Sequence, residues 1–367
     1  MAKKLENPDG TRDVGVLIAD SAVRAKHLWT RSWHKTEASY YPTDRRTFDH
    51  EYDALIRDYI LPGHVPSAPL LKADDVVVTL GSCFARELRT FMTEAGLAAT
   101  RLRIPESLTN TFAIRDFVSW VVTGAETGRG FRYDRLETGE IAEWVPPEER
   151  ETFATAFGEA GAFVFAIGLA EVWEDTETGG IFWRGVPKEI FEANRHVFRI
   201  TTVEENRENI LATVDLLREA NPTAPIIVSL SPVPLEATFR GMSCMTADAV
   251  SKSVLRVALD LVMAEKRPNV WYWPGFEMIR WVGAHASWPA YGFHDDRARH
   301  VTRWAVQRII QAFGETFYTP DAVAIMREQM APAPSPQSMT GRWHAILERR
   351  QKRRTAERRA ARRQSKA

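Results

Sequence analysis

The 367-residue chain has only two cysteines, Cys83 and Cys244, too few for a disulfide framework. It also lacks any apolar run near the roughly 20 residues that a helix needs to span a bilayer. The opening MAKKLENPDG does not carry the apolar stretch of a secretory signal. Together these absences predict a soluble protein in a reducing, cytoplasmic setting. A Gly-rich phosphate loop is missing too: GAETGRG at 124–130 follows no strand and opens no helix. HDDRARH at 294–300 contains metal-ligand residue types without the spacing of a known metal site, so no metal and no cofactor is implied.

Net charge is likewise absent, with 48 Lys and Arg against 48 Asp and Glu. The balance conceals a division. Residues 342–367 hold eleven basic and two acidic side chains, a tail of +9 that leaves −9 on the remaining body. Such a tail, helical or disordered, has basic residues around most of its circumference. It would favour phosphates on an anionic surface, and it has no apolar face with which to insert.

What the chain does have is core. It is 44% hydrophobic with twelve Trp, whose commoner use is burial and whose rarer use is to line a ligand or carbohydrate surface. Residues 1–72 read as an aromatic and charged N-terminal extension. The character then changes. DVVVTL at 75–80 is a short β-branched run that suits a strand buried on both faces. It meets Gly81-Ser82 and passes directly into ARELRTFMTEAGL, with apolar residues at helical spacing. FVFAI at 163–167 predicts a second buried strand, again ending at a glycine, Gly168. The helical stripe Ile210, Leu211, Val214, Leu216 and Leu217 stops before Asn221-Pro222. PIIVSL at 225–230 predicts a third strand ending in Ser-Pro. A helix over 247–264, a strand near 270–273 and a last helix over 301–313 follow.

Alternating strands and helices predict an α/β fold, a three-layer α/β/α sandwich around a mainly parallel sheet, over residues 73–318. Residues 319–341 read as the end of a helix and a Pro-rich linker, APAPSPQS, before the basic tail. Three strand ends, at Gly81-Ser82, Gly168 and Ser231-Pro232, fall on the side where open α/β sheets bind ligands. A serine at a strand-to-helix turn serves as a plain helix cap more often than as anything else. It can also present its hydroxyl beside a helix N-terminus that favours a developing negative charge.

The motif GSCFA at 81–85 resembles the signature of the GSCFA family, which is similar to the SGNH/GDSL hydrolases. AIGLAEVW at 166–173, RHVF at 195–198, and SLSPVPLEAT at 229–238 with SKSVLRVA at 251–258 extend the resemblance over roughly 76–313. It implies a serine nucleophile at Ser82 and a backbone oxyanion donor at Gly168. The SGNH pattern places Asn two residues after that glycine. Ala170 stands there, which leaves Asn110 and Asn194 as candidate side-chain donors. Each is otherwise a common turn asparagine. The pattern also places an Asp three residues before the catalytic His. Here Asp296 precedes His300 by four residues and Asp295 by five. Asp296 with His300 is the first choice for the relay, and His294 and His196 compete for the role of base. The implied function is a serine esterase that removes a short acyl group, such as O-acetyl, from a small-molecule or glycan ester. The alternatives are an acyltransferase using the same site and a catalytically lapsed glycan-binding module.

Overall fold

The computed structural model describes residues 39, 41–42, 47–48, 52–81, 83–100, 102, 104–105, 108–125, 133–135, 141–143, 150–286, 289–292, 298–330, 341, 344–349, 351–353 and 355. Contacts divide the chain into two units, Met1–Thr43 and Asp44–Ala367. Every element named below belongs to the second.

In chain order these elements are β1 (Val77–Gly81), α1 (Cys83–Glu94), α2 (Thr111–Thr123), β2 (Tyr133–Arg135), β3 (Ile141–Glu143), α3 (Arg150–Gly158), β4 (Ala162–Ile167), β5 (Glu171–Asp175), β6 (Gly180–Ile181) and β7 (His196–Ile200). There follow α4 (Val203–Ala220), β8 (Ile226–Leu230), α5 (Cys244–Ala264), β9 (Val270–Trp273), α6 (Arg303–Phe317) and α7 (Pro320–Gln329). Strands β1, β4, β8 and β9 form a parallel sheet in that order, flanked by helices in a three-layer α/β/α fold.

The period-2 alternation of each strand feeds two separate cores. On β4, Ala162, Val164 and Ala166 join Phe84, Leu88 and Phe91 of α1 and Ile309, Phe313 and Phe317 of α6. Phe163, Phe165 and Ile167 point the other way, into a core with Phe117 of α2, Phe157 of α3, Val214 of α4 and Leu259 of α5. Burying each such side chain contributes roughly 1.5–3 kcal/mol, so a strand apolar on both faces is what a covered parallel sheet selects. α4 begins with a reciprocal capping box. Thr202 Oγ1 accepts from the Glu205 N–H at 3.0 Å, and the Glu205 carboxylate accepts from the Thr202 N–H at 2.7 Å.

The four sheet strands lie where the sequence predicts them, within two residues at each end. Other features differ. Leu55, Ile56, Leu61 and Leu71, read above as part of an extension, are buried in the α1–α6 core. The Leu71 N–H also donates to the Phe317 carbonyl at 2.9 Å. The folded unit therefore begins well before residue 73. α7 is a new helix rather than the end of α6: the chain turns at Tyr318-Thr319, and Pro320 supplies the preset φ of a first helical residue.

A second sheet, β6-β5-β7, escapes a hydrophobic-pattern reading because β5 is EVWED. Charge pairing holds it instead. The Arg195 guanidinium forks onto Asp175 at 2.9 and 2.6 Å and holds that buried carboxyl well below the usual carboxylate range. Arg199 joins Glu174 on β5 to Glu205 on α4. The described parts of the basic tail, 344–349 and 351–353, are helical and mostly exposed.

Candidate active site

The site is built where the parallel strands end. Gly81 pairs with Ala166 across β1 and β4, and Ile167 pairs with Leu230 across β4 and β8. Gly81 and the residues that follow β4 and β8, at 168 and 231, thus come at adjacent strand ends. Gly81 has φ +105, and a Cβ there would overlap the Ala166 carbonyl oxygen. Only glycine fits this close approach with that backbone. α1 opens two residues on, at Cys83, so its first N–H groups, which have no intrahelical partner, lie at the same edge. Ser82, His294, Asp295 and Asp296 lie outside the described residues.

His300 is brought to this edge by a chain of backbone contacts. Its carbonyl accepts from the Gly292 N–H at 2.8 Å, Tyr291 bridges Val301, and the Thr302 N–H donates to the Ala290 carbonyl at 2.8 Å. Tyr291 in turn donates its hydroxyl to the Pro232 carbonyl at 3.0 Å, one residue past Ser231. Burial pushes that phenol up to about 12, so it remains a donor at neutral pH. The half-buried His300 then lines a cleft of about 570 Å³. The same cleft is lined by Phe84 and Glu87 from the first turns of α1, by Pro232 and Val233 after β8, and by Arg303 and Val306 of α6. His300 and the first turns of α1 therefore share one cleft. Its walls offer an apolar side, a histidine and both signs of charge.

The expected oxyanion donors are arranged differently. The Gly168 N–H donates to the Thr109 carbonyl at 2.8 Å, so it is held inside the fold and not directed at a ligand. Asn110 is 3% exposed and caps α2. Its Oδ1 accepts from the Ala113 N–H at 2.9 Å and its Nδ2 donates to the Trp183 carbonyl at 3.0 Å. With both ends of the amide engaged, Asn110 is a helix cap. Asn194 lies exposed in the turn before β7. His196, at the start of β7, is buried. Its Nδ1 accepts from the Glu192 N–H at 3.0 Å, and its ring meets Phe182 edge-on at 5.3 Å. These contacts describe a packed structural histidine.

Two side chains that carry no role in the sequence reading face the same turn. Ser251 Oγ accepts from the Ala170 N–H at 2.9 Å, and Lys252 Nζ donates to the Gly168 carbonyl at 2.7 Å. Both are buried on α5. The one signal in the sequence is a lysine that falls with Asp248 and Ser251 on the inward stripe of that helix, which is otherwise apolar. Among the described residues, no group of three or more His, Cys, Asp and Glu could hold a metal ion. Nor is any described helix long and apolar enough to cross a membrane.

Fold and site together define an α/β/α protein whose first sheet strand runs through Gly-Ser into a helix beside a histidine-lined cleft. Residues 76–313 match the GSCFA family, and the chain belongs to it. A comparison with curated proteins found no match.

Proposed function

We propose that the chain is a serine ester hydrolase of the SGNH type, with Ser82 as nucleophile and His300 as base. Its substrate would be a short acyl ester, such as O-acetyl, on a small molecule or glycan. The observation that carries the reading is the cleft shared by His300, the first turns of α1 and the end of β8. In this mechanism Ser82 Oγ bonds to the acyl carbon as its proton passes to His300. The oxyanion meets the Ser82 N–H and the positive end of α1, because the Gly168 N–H is engaged by Thr109. The protonated histidine then gives its proton to the departing alcohol. Water attacks the acyl-serine next and releases the carboxylic acid. A sugar hydroxyl in place of that water would make the same site an acyltransferase. Asp296 is the carboxylate assigned to orient His300.

Ser82→Ala and His300→Ala should each lower kcat on p-nitrophenyl acetate by at least about 10³-fold, with the double variant little worse than either single. Unchanged turnover in a folded Ser82→Ala protein would remove Ser82 from the mechanism.

A second reading, a glycan-binding module without catalysis, is favoured by the engagement of the Gly168 N–H and the Asn110 amide within the fold. Glycan binding by a wild type that hydrolyses no ester would select it. The tail at 342–367 is assigned a separate role, contact with an anionic surface through its +9 charge.

A further inference from the structure

The turn that follows β4 is clamped from three elements. Thr109 O accepts the N–H groups of Gly168 and Leu169, at 2.8 and 3.1 Å. Thr201 donates both its N–H and its hydroxyl to the Ala170 carbonyl, at 2.7 and 2.9 Å. From α5, Ser251 and Lys252 take the Ala170 N–H and the Gly168 carbonyl. Of these partners only Lys252 is ionisable. A buried lysine is an unusual choice for a carbonyl donor, since a hydroxyl or amide makes that bond without placing an ammonium in the interior.

Lys252 is 2% exposed. The charged groups facing it are Asp248, one turn earlier on α5, and Arg280, from the helical turn after β9. Those two pair with each other at 3.2 Å. Asp248 Oδ1 also accepts from the Leu235 N–H at 3.0 Å, on the loop that leaves Ser231-Pro232. The cation is therefore bonded to the end of β4 and interacts electrostatically with Asp248, which itself holds the loop after β8.

Resting on the hydrolase reading above, we infer that Lys252 is a positioning residue for the reaction at Ser82. Its ammonium holds the Gly168 turn at the end of β4, the strand paired with β1, and adds positive charge at that edge of the sheet. It touches no reacting atom. In a low-dielectric surrounding a fixed cation acts over several ångströms, and a displaced turn would misplace the strand end next to Ser82. Burial lowers the ammonium to about 8, with Arg280 reinforcing and Asp248 opposing. The charge is then present at neutral pH and lost in the alkaline range, while a neutral amine still donates to Gly168. Charge and hydrogen bond can thus be separated by pH.

The test is kcat and KM on p-nitrophenyl acetate between pH 6 and 10 for wild type, Lys252→Met and Ser251→Ala. Melting curves establish which variants are folded. The expected result is a wild-type kcat that falls through an alkaline limb near pH 8. Lys252→Met should lose on the order of 10- to 100-fold in kcat, keep KM within about twofold, and show no such limb. Ser251→Ala, which breaks a neutral bond to the same turn, should keep the limb. A folded Lys252→Met with wild-type kcat and profile overturns the inference and leaves Lys252 a packing residue. Should Lys252→Met fail to fold, a wild-type kcat flat from pH 7 to 10 overturns it equally. A wild type with no turnover at any pH removes the hydrolase reading, and this inference with it.

Discussion

Replacing Gly81 with alanine perturbs the fold and the candidate site at one atom. The residue has φ +105, a backbone that costs an L side chain on the order of 1–3 kcal/mol. The added Cβ would overlap the Ala166 carbonyl oxygen and lie 3.0 Å from its carbon and 3.1 Å from its nitrogen. Those are backbone atoms of the paired strand, so relief requires β1 to move off β4, an overpacking cost of roughly 1–3 kcal/mol. The sum is about 2–6 kcal/mol. Gly179 provides the control. It has φ +71, but a Cβ there meets nothing within 4 Å, so Gly179→Ala should cost only the backbone term, about 1–2 kcal/mol. Equilibrium unfolding in urea, followed by tryptophan fluorescence, measures both. Gly81→Ala costing no more than Gly179→Ala would refute the steric argument, and with it the claim that the approach of β1 to β4 requires glycine at 81.

Thr202→Ala removes the hydroxyl half of the α4 capping box and should cost about 0.5–2 kcal/mol in the same urea assay. Truncation after Met330 keeps α7, whose Ala322 and Met326 are in the core. It should leave the melting temperature and ester turnover nearly unchanged while abolishing binding to anionic vesicles. Loss of several degrees would place the tail in the fold. Lys252 also makes stability depend on pH. Its ammonium titrates near 8 in the native state and near 10.5 when unfolded, so between these values the unfolded chain binds more protons and stability rises with pH. Unfolding free energies from urea titrations should therefore rise from pH 7.5 to 10 more in wild type than in Lys252→Met, by roughly 1–3 kcal/mol.

The sheet was legible because a strand covered on both faces is apolar at nearly every position. VVTLG, AFVFAI and IIVSL admit few other readings. The β5–β7 sheet was hidden for the opposite reason. Its strands are held by Arg195–Asp175 and by Arg199 between Glu174 and Glu205, and charged residues do not announce a strand. The burial of Leu55, Ile56 and Leu71 was not legible because it depends on α6, more than two hundred residues away.

The site divides in the same manner. The glycine–serine turn is a local feature and could be read directly. The partners of Gly168 and Asn110 are contacts made at long range. The Gly168 N–H meets Thr109 and the Asn110 amide meets Trp183, so two residues expected to face a ligand instead hold the fold. Lys252 is not legible in the sequence because a lysine in a helix is ordinarily solvated, and only its burial against Gly168 marks it.

The central claim is that Ser82 is an activated nucleophile beside His300. Treatment of the intact protein with a fluorophosphonate, followed by mass spectrometry of the digested adduct, tests it without knowledge of the substrate. The account predicts one phosphonylated residue, Ser82, with labelling that slows by orders of magnitude in His300→Ala. A folded wild-type protein that takes up no label, or one labelled at another serine with Ser82 untouched, would contradict it.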